Sequence, residues 1–231
     1  FKAVTTTFQN TISHVISTRN EMLERLIDSI NSTANQLDVD IEKLAPITMS
    51  ELWEMEIDKR EELLGNLILS KTINNVSAPA GLGKTNVCLS IAAAIASGGR
   101  FLKWEATVAS KVLYIDGEML LEDLKNRTQK YAGGLSENQK ELMKENLYFV
   151  NCERIQSDFP SLVTEFGQDL IYYYIVKTGA KVVVLDNLTS LLGDTDLSDT
   201  VLMKFLLKWK KELRYQGVTV ITVNHTVKNG D

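Results

Sequence analysis

Residues that could form disulfides or transition-metal sites are scarce in this chain, with two cysteines and two histidines among 231 residues. Cys88 lies in an apolar, helix-like stretch and Cys152 follows a strand-like one. Because no metal-ligand spacing connects these residues, we interpret both cysteines as reduced, small apolar side chains. No apolar run approaches the ~18 residues of a membrane span, and no signal peptide is visible. These absences predict a cytoplasmic protein that does not enter a membrane.

An excess of positive charge is absent as well. The chain has 25 lysines and arginines against 30 aspartates and glutamates, which gives a formal net charge of −5. A uniformly basic face for nucleic acid is therefore excluded, whereas a local basic loop is not. The first residue is Phe1 rather than methionine, so we expect the chain to be part of a longer protein.

The first third of the chain is helical in pattern. Apolar residues recur at helical spacing over residues 6–38, without glycine or proline. Pro46 interrupts the pattern, and Thr48 or Ser50 could cap a short helix in "ELWEM". We predict a helical arm or linker at 1–46 and a second domain at 47–231, with its C-terminal end missing.

From about residue 70, short apolar strands alternate with helices. The predicted strands span 72–78, 111–116, 146–151, 181–187 and 217–224, and the predicted helices lie near 84–97, 119–131, 136–145, 160–177 and 198–215. The last helix carries Val201, Phe205, Trp209 and Leu213 along one face. Alternation of this kind predicts an α/β fold, in which a parallel sheet is covered by helices on both sides.

The segment "APAGLGKT", residues 78–85, matches the phosphate-loop pattern G-x-x-x-x-G-K-[ST] except for its first residue. Glycines let backbone amides turn toward an anion, and the following helix directs its positive end to the same place. Lys84 can reach the β- and γ-phosphates of ATP, and Thr85 can bind Mg²⁺. The residues predicted to bind the nucleotide are Ala78, Pro79, Ala80, Gly81, Leu82, Gly83, Lys84, Thr85 and Asn86.

Acidic residues follow two of the predicted strands. Asp186 ends the run "KVVVLD", where it could hold Mg²⁺ together with Thr85. The next residue is Asn187, which cannot accept a proton, so the general base must lie elsewhere. Glu118, just past the strand "KVLYID", is the predicted base and Asp116 its alternative, since strand ends on one side of a parallel sheet converge. His225, after a third strand, could bond the γ-phosphate or a group that senses it.

These residues together resemble the RecA superfamily, most closely its RepA-like hexameric replicative helicase ATPases of plasmids, phages and other mobile elements. The resemblance covers about residues 48–231. "VLYIDGEM" is similar to the family's strand with the hydrolytic glutamate, here Glu118, and "VVVLDNLTSLL" to its Mg²⁺ strand. The family's C-terminal tract usually ends in two histidines and a lysine, but here Asn224 replaces the first histidine.

The resemblance implies a RecA-like core whose His225 strand lies between the phosphate-loop and Asp186 strands. It also implies a six-membered ring with ATP between subunits, single-stranded DNA and other replication proteins as partners, and a basic loop and an arginine beyond Asp231. A regulatory or partner-loading ATPase without unwinding activity is the alternative. A GTPase and an ABC-type ATPase are disfavoured because the N-K-x-D and L-S-G-G-Q motifs are missing. A small-molecule kinase is disfavoured because Glu118 and His225 follow strands in the order expected for an ATPase that activates a water molecule.

Overall fold

The computed structural model describes residues 2–36, 40–193 and 200–225. The chain divides into two compact units, Phe1–Asp58 and Lys59–Asp231. Each unit is described separately. Within the described ranges, no helix has both the length and the apolar character that crossing a membrane requires.

The first unit is helical. It contains α1 (Lys2–Gln36), a 3-10 turn (Ile41–Leu44) and α2 (Met49–Glu54). The predicted long helix is confirmed and begins four residues earlier than expected, while residues 37 and 38 lie outside the described ranges. Thr48, one of the two predicted caps, begins α2: its hydroxyl accepts a hydrogen bond from the Glu51 amide at 3.2 Å, and the Glu51 carboxylate accepts one from the Thr48 amide at 2.6 Å. This reciprocal pair is a capping box, which satisfies two amides at the helix start.

The second unit is built on a five-stranded parallel sheet. Its strands, with those of two small hairpins, are β1 (Glu62–Leu64), β2 (Ile68–Leu69), β3 (Ile73–Ala78), β4 (Arg100–Phe101), β5 (Trp104–Glu105), β6 (Val112–Asp116), β7 (Leu147–Asn151), β8 (Val182–Asp186) and β9 (Thr219–His225). The sheet order is β3-β9-β8-β6-β7, and β1–β2 and β4–β5 form antiparallel pairs. The predicted place of the His225 strand, between the phosphate-loop and Asp186 strands, is confirmed.

Helices cover the sheet on both sides. They are α3 (Lys84–Ser97), α4 (Leu121–Ala132), α5 (Glu137–Asn146), α6 (Cys152–Ile155), α7 (Glu165–Thr178), α8 (Leu188–Leu192) and α9 (Thr200–Tyr215). Successive residues of β6 alternate between two cores: Val112 and Tyr114 pack with α3, whereas Leu113 and Ile115 pack with α7 and α9. Side chains of a strand alternate in this way because the strand period is two. The predicted α/β class, a RecA-like core with a parallel sheet between helices, is therefore confirmed.

Three sequence expectations need correction at the level of elements. The helix predicted at 160–177 begins at Glu165, because the Thr164 hydroxyl caps it by accepting from the Gly167 amide at 3.1 Å. Asn187 leaves strand β8 and caps α8 by accepting from the Ser190 amide at 3.0 Å.

The third correction concerns the apolar face of α9. Val201 is 72% exposed and Phe205 37% exposed, so these two residues do not belong to the buried face. Trp209 and Leu213 are buried against the sheet as predicted, and Leu206 is buried with them. Their spacing of three and four residues is helical, and the buried face differs from the predicted one in having Leu206 in place of Phe205.

Candidate active site

The loop between β3 and α3 has the conformation that an anion-binding loop needs. Gly81 and Gly83 have φ values of +82° and +80°, and an added Cβ atom would meet nothing within 4 Å at either residue. The requirement for glycine is therefore conformational rather than steric, since only glycine adopts positive φ without strain. Gly83 is also the N-terminal cap of α3. The free amides of the first helical turn consequently face the loop, where they can bind an anion.

Lys84 is buried inside this loop. Its side chain is only 6% exposed, and its Nζ donates hydrogen bonds to the carbonyls of Ala78 at 2.7 Å and Pro79 at 2.9 Å. A buried lysine needs such partners because an isolated charge is costly to remove from water. The loop carbonyls thus hold the ammonium group at the centre of the loop.

Asp186 is held from two sides at the carboxyl end of β8. The Thr85 hydroxyl donates to its Oδ1 at 3.3 Å, and the Tyr114 hydroxyl donates to its Oδ2 at 2.5 Å. Both Asp186 and Tyr114 are buried. Burial, followed by the charge of Asp186, raises the pKa of Tyr114 well above its usual value, so this hydroxyl stays protonated and remains a donor. The sequence analysis missed Tyr114, which an inward position two residues before Asp116 in β6 could have indicated.

Asp116 and Glu118, the two candidates for the general base, have different surroundings. Asp116 is buried, and its carboxylate accepts from the Asn151 side chain at 2.6 Å and from the amides of Met119 at 3.2 Å and Glu118 at 3.4 Å. Burial raises the pKa of Asp116. Glu118, in contrast, is exposed and lines the same cavity as Lys84. Asp116 therefore shapes the turn, and Glu118 presents a carboxylate to the cavity.

The turn between these two acids depends on Gly117. Its amide donates to the Asp186 carbonyl at 2.8 Å, which brings the ends of β6 and β8 together. A Cβ atom on Gly117 would lie 2.2 Å from Ser190 Oγ and 2.9 Å from Ser190 Cβ. The peptide bond between Asp186 and Asn187 is cis. Close packing at this point thus requires a residue without a side chain.

Arg127 is a second site residue that the sequence analysis missed. It lies on α4, is partly buried, and its Nη1 donates to the Asn86 side-chain oxygen at 2.9 Å. Arg127 also lines the cavity above the phosphate loop. The same chain that carries Lys84 thus places a second positively charged side chain, Arg127, at this cavity. The sequence could have indicated Arg127, because this residue lies on α4, the helix that directly follows the turn with Glu118.

A cavity of about 270 Å³ joins most of the predicted residues. It is lined by Gly81, Gly83, Lys84, Thr85, Asn86, Glu118, Arg127, Asp186, Asn187 and Val223. The other predicted loop residues, Ala78, Pro79, Ala80 and Leu82, form the loop without lining this cavity. The backbone of His225 pairs with Ala78 in the sheet, and its side chain lies outside the described part. Lys84, Glu118 and Asp186 therefore line one cavity.

The oxygens at this point are suited to Mg²⁺. Thr85 Oγ1 and Asp186 Oδ1 are 3.3 Å apart and both residues line the cavity. Mg²⁺ typically keeps several waters and takes one or two protein oxygens together with phosphate oxygens. The described residues contain no cluster of three or more His, Cys, Asp or Glu side chains that could hold a metal by themselves. The site thus fits a metal that arrives with a phosphate ligand.

Cys88 lies beside this site without being reactive. It is fully buried in α3, and burial, with the charge of Asp186 adding to it, raises its pKa to about 12. A thiol with so high a pKa is protonated at neutral pH and is a poor nucleophile. Both Cys88 and Cys152 are free thiols in the structure.

Comparisons with known proteins find a similar solved structure and a matching family. Among solved structures, the chain is similar to the KaiC-like protein PH0186 from the hyperthermophilic archaeon Pyrococcus horikoshii OT3, with 20% sequence identity and a TM-score of 0.46. The similarity covers 71% of this chain and 66% of that one. No curated protein matches the chain. The sequence profile of a family described as an AAA domain matches residues 39–231. Since this match includes most of the chain, the protein belongs to the AAA domain family of P-loop ATPases, and its core has the RecA-like fold.

Proposed function

We propose that this chain is the ATP-hydrolysing, Mg²⁺-dependent motor domain of a ring-shaped, DNA-dependent ATPase of the RepA-like helicase type. The observation that carries the proposal is the meeting of Lys84, Glu118 and the Thr85–Asp186 pair around one cavity. This set provides a phosphate-binding cation, a base for water and ligands for Mg²⁺. A protein that only bound a nucleotide would not need the exposed carboxylate of Glu118.

In the proposed mechanism, the loop amides and Lys84 bind the β- and γ-phosphates. Lys84 exchanges its two carbonyl partners for phosphate oxygens, a stronger interaction because both groups are charged. Thr85 and Asp186 provide the metal ligands, and bound Mg²⁺ would neutralise charge on the phosphates. Tyr114 keeps the Asp186 carboxylate in a fixed orientation through the bond at 2.5 Å.

Glu118 takes the proton from the attacking water in this scheme. General bases contribute about 10²–10⁴ to rates, provided that they lie within hydrogen-bonding reach of the water. Arg127 stabilises the negative charge that develops on the phosphates, since it reaches the same cavity from α4. His225, on the strand between β3 and β8, would report the state of the γ-phosphate to the segments that follow β9.

The ring, the DNA partner and a role in replication are the finer part of the proposal. They are supported by the resemblance of the Glu118, Asp186 and His225 segments, in this order, to those of RepA-like ATPases. The sheet order agrees with that resemblance because β9 lies between β3 and β8. Single-stranded DNA and other replication proteins are the proposed partners, in a hexameric assembly.

The test is ATP turnover with and without single-stranded DNA, in the presence and absence of Mg²⁺. We expect turnover that requires Mg²⁺ and increases with DNA, followed by unwinding of a forked duplex. Lys84→Ala is the control for contaminating ATPases, and it should lose both ATP binding and turnover. Turnover that ignores DNA would support the alternative, a regulatory or partner-loading ATPase. Unchanged ATP affinity in Lys84→Ala would contradict the phosphate-loop assignment itself.

A further inference from the structure

The turn that carries Glu118 is held by the residues around Glu118 rather than by its side chain. Glu118 is exposed, whereas Asp116 and Met119 on either side of it are buried. Among the residues that the structure describes, the Glu118 carboxylate makes no hydrogen bond, and its amide donates one to Asp116 Oδ1 at 3.4 Å. The place of this carboxylate at the phosphate cavity therefore depends on the backbone before and after it.

Asn151 contacts this turn on both sides of Glu118. It is the last residue of β7, and the parallel pairing of β6 with β7 sets it beside Asp116. Its Nδ2 donates hydrogen bonds to Asp116 Oδ2 at 2.6 Å and to the Met119 carbonyl at 2.7 Å. The two acceptors belong to the residue two positions before Glu118 and to the residue directly after it. One side-chain amide thus joins the two ends of the turn.

The amide group of Asn151 has no hydrogen-bonding capacity to spare. An asparagine side chain has two donor hydrogens and one acceptor oxygen. Both hydrogens are used by the turn, and Oδ1 accepts from the Arg154 amide at 3.1 Å, which caps α6. With 2% exposure, the side chain has little access to water that could replace these bonds. A cap alone would not need the NH2 group, because serine and aspartate cap helices equally well.

A second contact from the same end of β7 reaches the start of α4. The Glu153 carboxylate accepts a hydrogen bond from the amide of Leu121, the first residue of α4. The residue before it, Leu120, offers no side-chain cap, so Glu153 provides a partner for an amide that the helix itself cannot satisfy. The segment 116–121 is thus attached at three points to residues that do not line the phosphate cavity.

We propose that Asn151 is a positioning residue for ATP hydrolysis, which holds the Glu118 carboxylate where it takes the proton from the attacking water. The inference rests on the proposed function for the role of Glu118 as the base. Asn151 acts through the backbone of residues 116–119 and does not itself line the phosphate cavity. Misplacement of a catalytic group by about 1 Å can cost about a hundredfold in rate. Loss of Asn151 should therefore slow hydrolysis and leave ATP binding to the phosphate loop intact.

The experiment measures ATP affinity by isothermal titration and the hydrolysis rate by single-turnover kinetics, each on the full chain with Mg²⁺. Asn151→Ala removes both bonds to the turn. Asn151→Ser keeps a hydroxyl that can cap α6 and that donates at most one of the two bonds. Asn146→Ala is the matched control, because Asn146 stands directly before β7 and its Nδ2 donates to the Ala96 carbonyl at 3.2 Å, away from the turn.

Asn151→Ala should lower the hydrolysis rate by about tenfold to hundredfold with unchanged ATP affinity, which also shows that the variant is folded. Asn151→Ser should have a smaller effect, and Asn146→Ala should change neither quantity.

The decisive comparison combines Asn151→Ala with Glu118→Gln. The double variant should hydrolyse ATP no more slowly than Glu118→Gln alone, because the group that Asn151 positions is already inactive. A general loss of structure would instead add its effect to that of Glu118→Gln, as independent substitutions do.

Two results would overturn the inference and leave the proposed function intact. One is unchanged hydrolysis in Asn151→Ala. The other is a double variant that is slower than Glu118→Gln by the full factor that Asn151→Ala causes alone. If Asn151→Ala does not fold, Asn151→Ser takes its place in both comparisons. An unmodified protein that binds no ATP, or a Glu118→Gln variant with normal hydrolysis, would overturn the proposed function, and the inference with it.

Discussion

Among single residues, the contrast between Asp116 and Glu118 shows how surroundings divide two carboxylates that are close in sequence. Asp116 accepts three hydrogen bonds in a buried position, and burial raises its pKa. Glu118 is exposed toward the phosphate cavity. A carboxylate with its acceptor positions already filled by protein donors has little capacity left for a water molecule. The structure therefore favours Glu118 as the base.

Glu118→Gln should keep ATP affinity and lower the hydrolysis rate by about 10²–10⁴, because glutamine preserves the shape but cannot accept a proton. Single-turnover kinetics together with ATP titration would measure both effects. Asp116→Asn is the comparison: it should lower the free energy of unfolding, since its side-chain NH2 would replace the oxygen that accepts from the Asn151 side-chain NH2 in a buried turn. Loss of turnover in a stable Asp116→Asn protein, with Glu118→Gln active, would show that Asp116 is the base.

Tyr114→Phe should weaken the binding of Mg²⁺ with ATP and leave metal-free ATP binding unchanged. The substitution removes the hydrogen bond that the Tyr114 hydroxyl donates to Asp186 Oδ2 at 2.5 Å, and hydrogen bonds to charged groups contribute about 1.5–3 kcal/mol. The half-saturating Mg²⁺ concentration for ATP binding, followed by titration calorimetry, should therefore rise about tenfold or more. Tyr148→Phe, on strand β7, is the matched control. Identical Mg²⁺ titrations of both variants would rule out the positioning role of Tyr114.

Much of the candidate site could be predicted from the sequence because its residues sit at motif positions. Lys84 and Thr85 belong to a glycine-containing motif that follows β3, and Glu118 and Asp186 lie at the ends of β6 and β8. The carboxyl ends of parallel strands lie at one edge of the sheet, so the pattern of strands was enough to predict that these residues are close. Tyr114 and Arg127 could not be predicted in this way. Their roles depend on which side of β6 and of α4 faces the loop, and this is set by packing between distant segments rather than by local pattern.

Among secondary-structure elements, α9 combines an apolar face with a lysine whose side chain is largely buried. Lys210 is 6% exposed and lies on α9 between the buried residues Trp209 and Leu213. Burial lowers its pKa. No ion pair joins Lys210 to a carboxylate within the ranges that the structure describes. The folded state therefore carries an energetic penalty wherever this lysine is charged.

Lys210→Met should raise the free energy of unfolding at pH 7, by less than about 1 kcal/mol because the ammonium group keeps some contact with solvent, since it removes a partly desolvated charge and keeps an unbranched apolar chain. The gain should shrink as the pH rises from the folded-state pKa toward the ordinary value of 10.5, since the unmodified lysine then loses its charge in the folded state. Urea unfolding at pH 7 and pH 10 measures both. Lys211→Met, at an exposed neighbour, should change little, and equal effects of the two variants would contradict the explanation.

The five strands of the main sheet and their helices were predictable because each is a separate apolar run with its own helix ends. The hairpins β1–β2 and β4–β5 were not, because their strands have only two or three residues, too few to show a period of two. The start of α7 was misplaced for a different reason. The pattern of apolar and polar residues over 160–164 is compatible with a helix. The Thr164 hydroxyl, however, accepts a hydrogen bond from the Gly167 amide, and this cap makes Glu165 the first helical residue.

At the scale of the whole molecule, the supply of positive charge determines what one subunit can do alone. The ring resemblance assigns a catalytic arginine to a neighbouring subunit, whereas the structure also places Arg127 of the same chain in the cavity. Arginines at such positions contribute about 10³–10⁵ to phosphoryl transfer, in cis or in trans. A single subunit should therefore retain slow turnover, and assembly should add to it.

Specific ATPase activity should rise with protein concentration from a low plateau that is not zero, because assembly is a mass-action process. The measurement pairs turnover with sedimentation velocity at the same concentrations. Arg127→Ala should remove the plateau of the dilute protein. Activity that is high and independent of concentration would show that catalysis does not need an arginine from a neighbouring subunit.

The sheet order also has a consequence for how the protein is made. Strand β3 pairs with β9, and the partner of Ile73 is Val220. During synthesis of the chain, β3 is therefore made long before the strand with which it pairs. At about 5–20 residues per second, synthesis of the segment between them takes roughly 7–30 seconds. During that time β3 is an unpaired strand on the ribosome, and Asn74 and Asn75, which disfavour strand formation, lower its tendency to pair with other chains. Nascent chains released before Thr219 should accordingly fail to bind ATP, because the phosphate loop has no completed sheet to hold it.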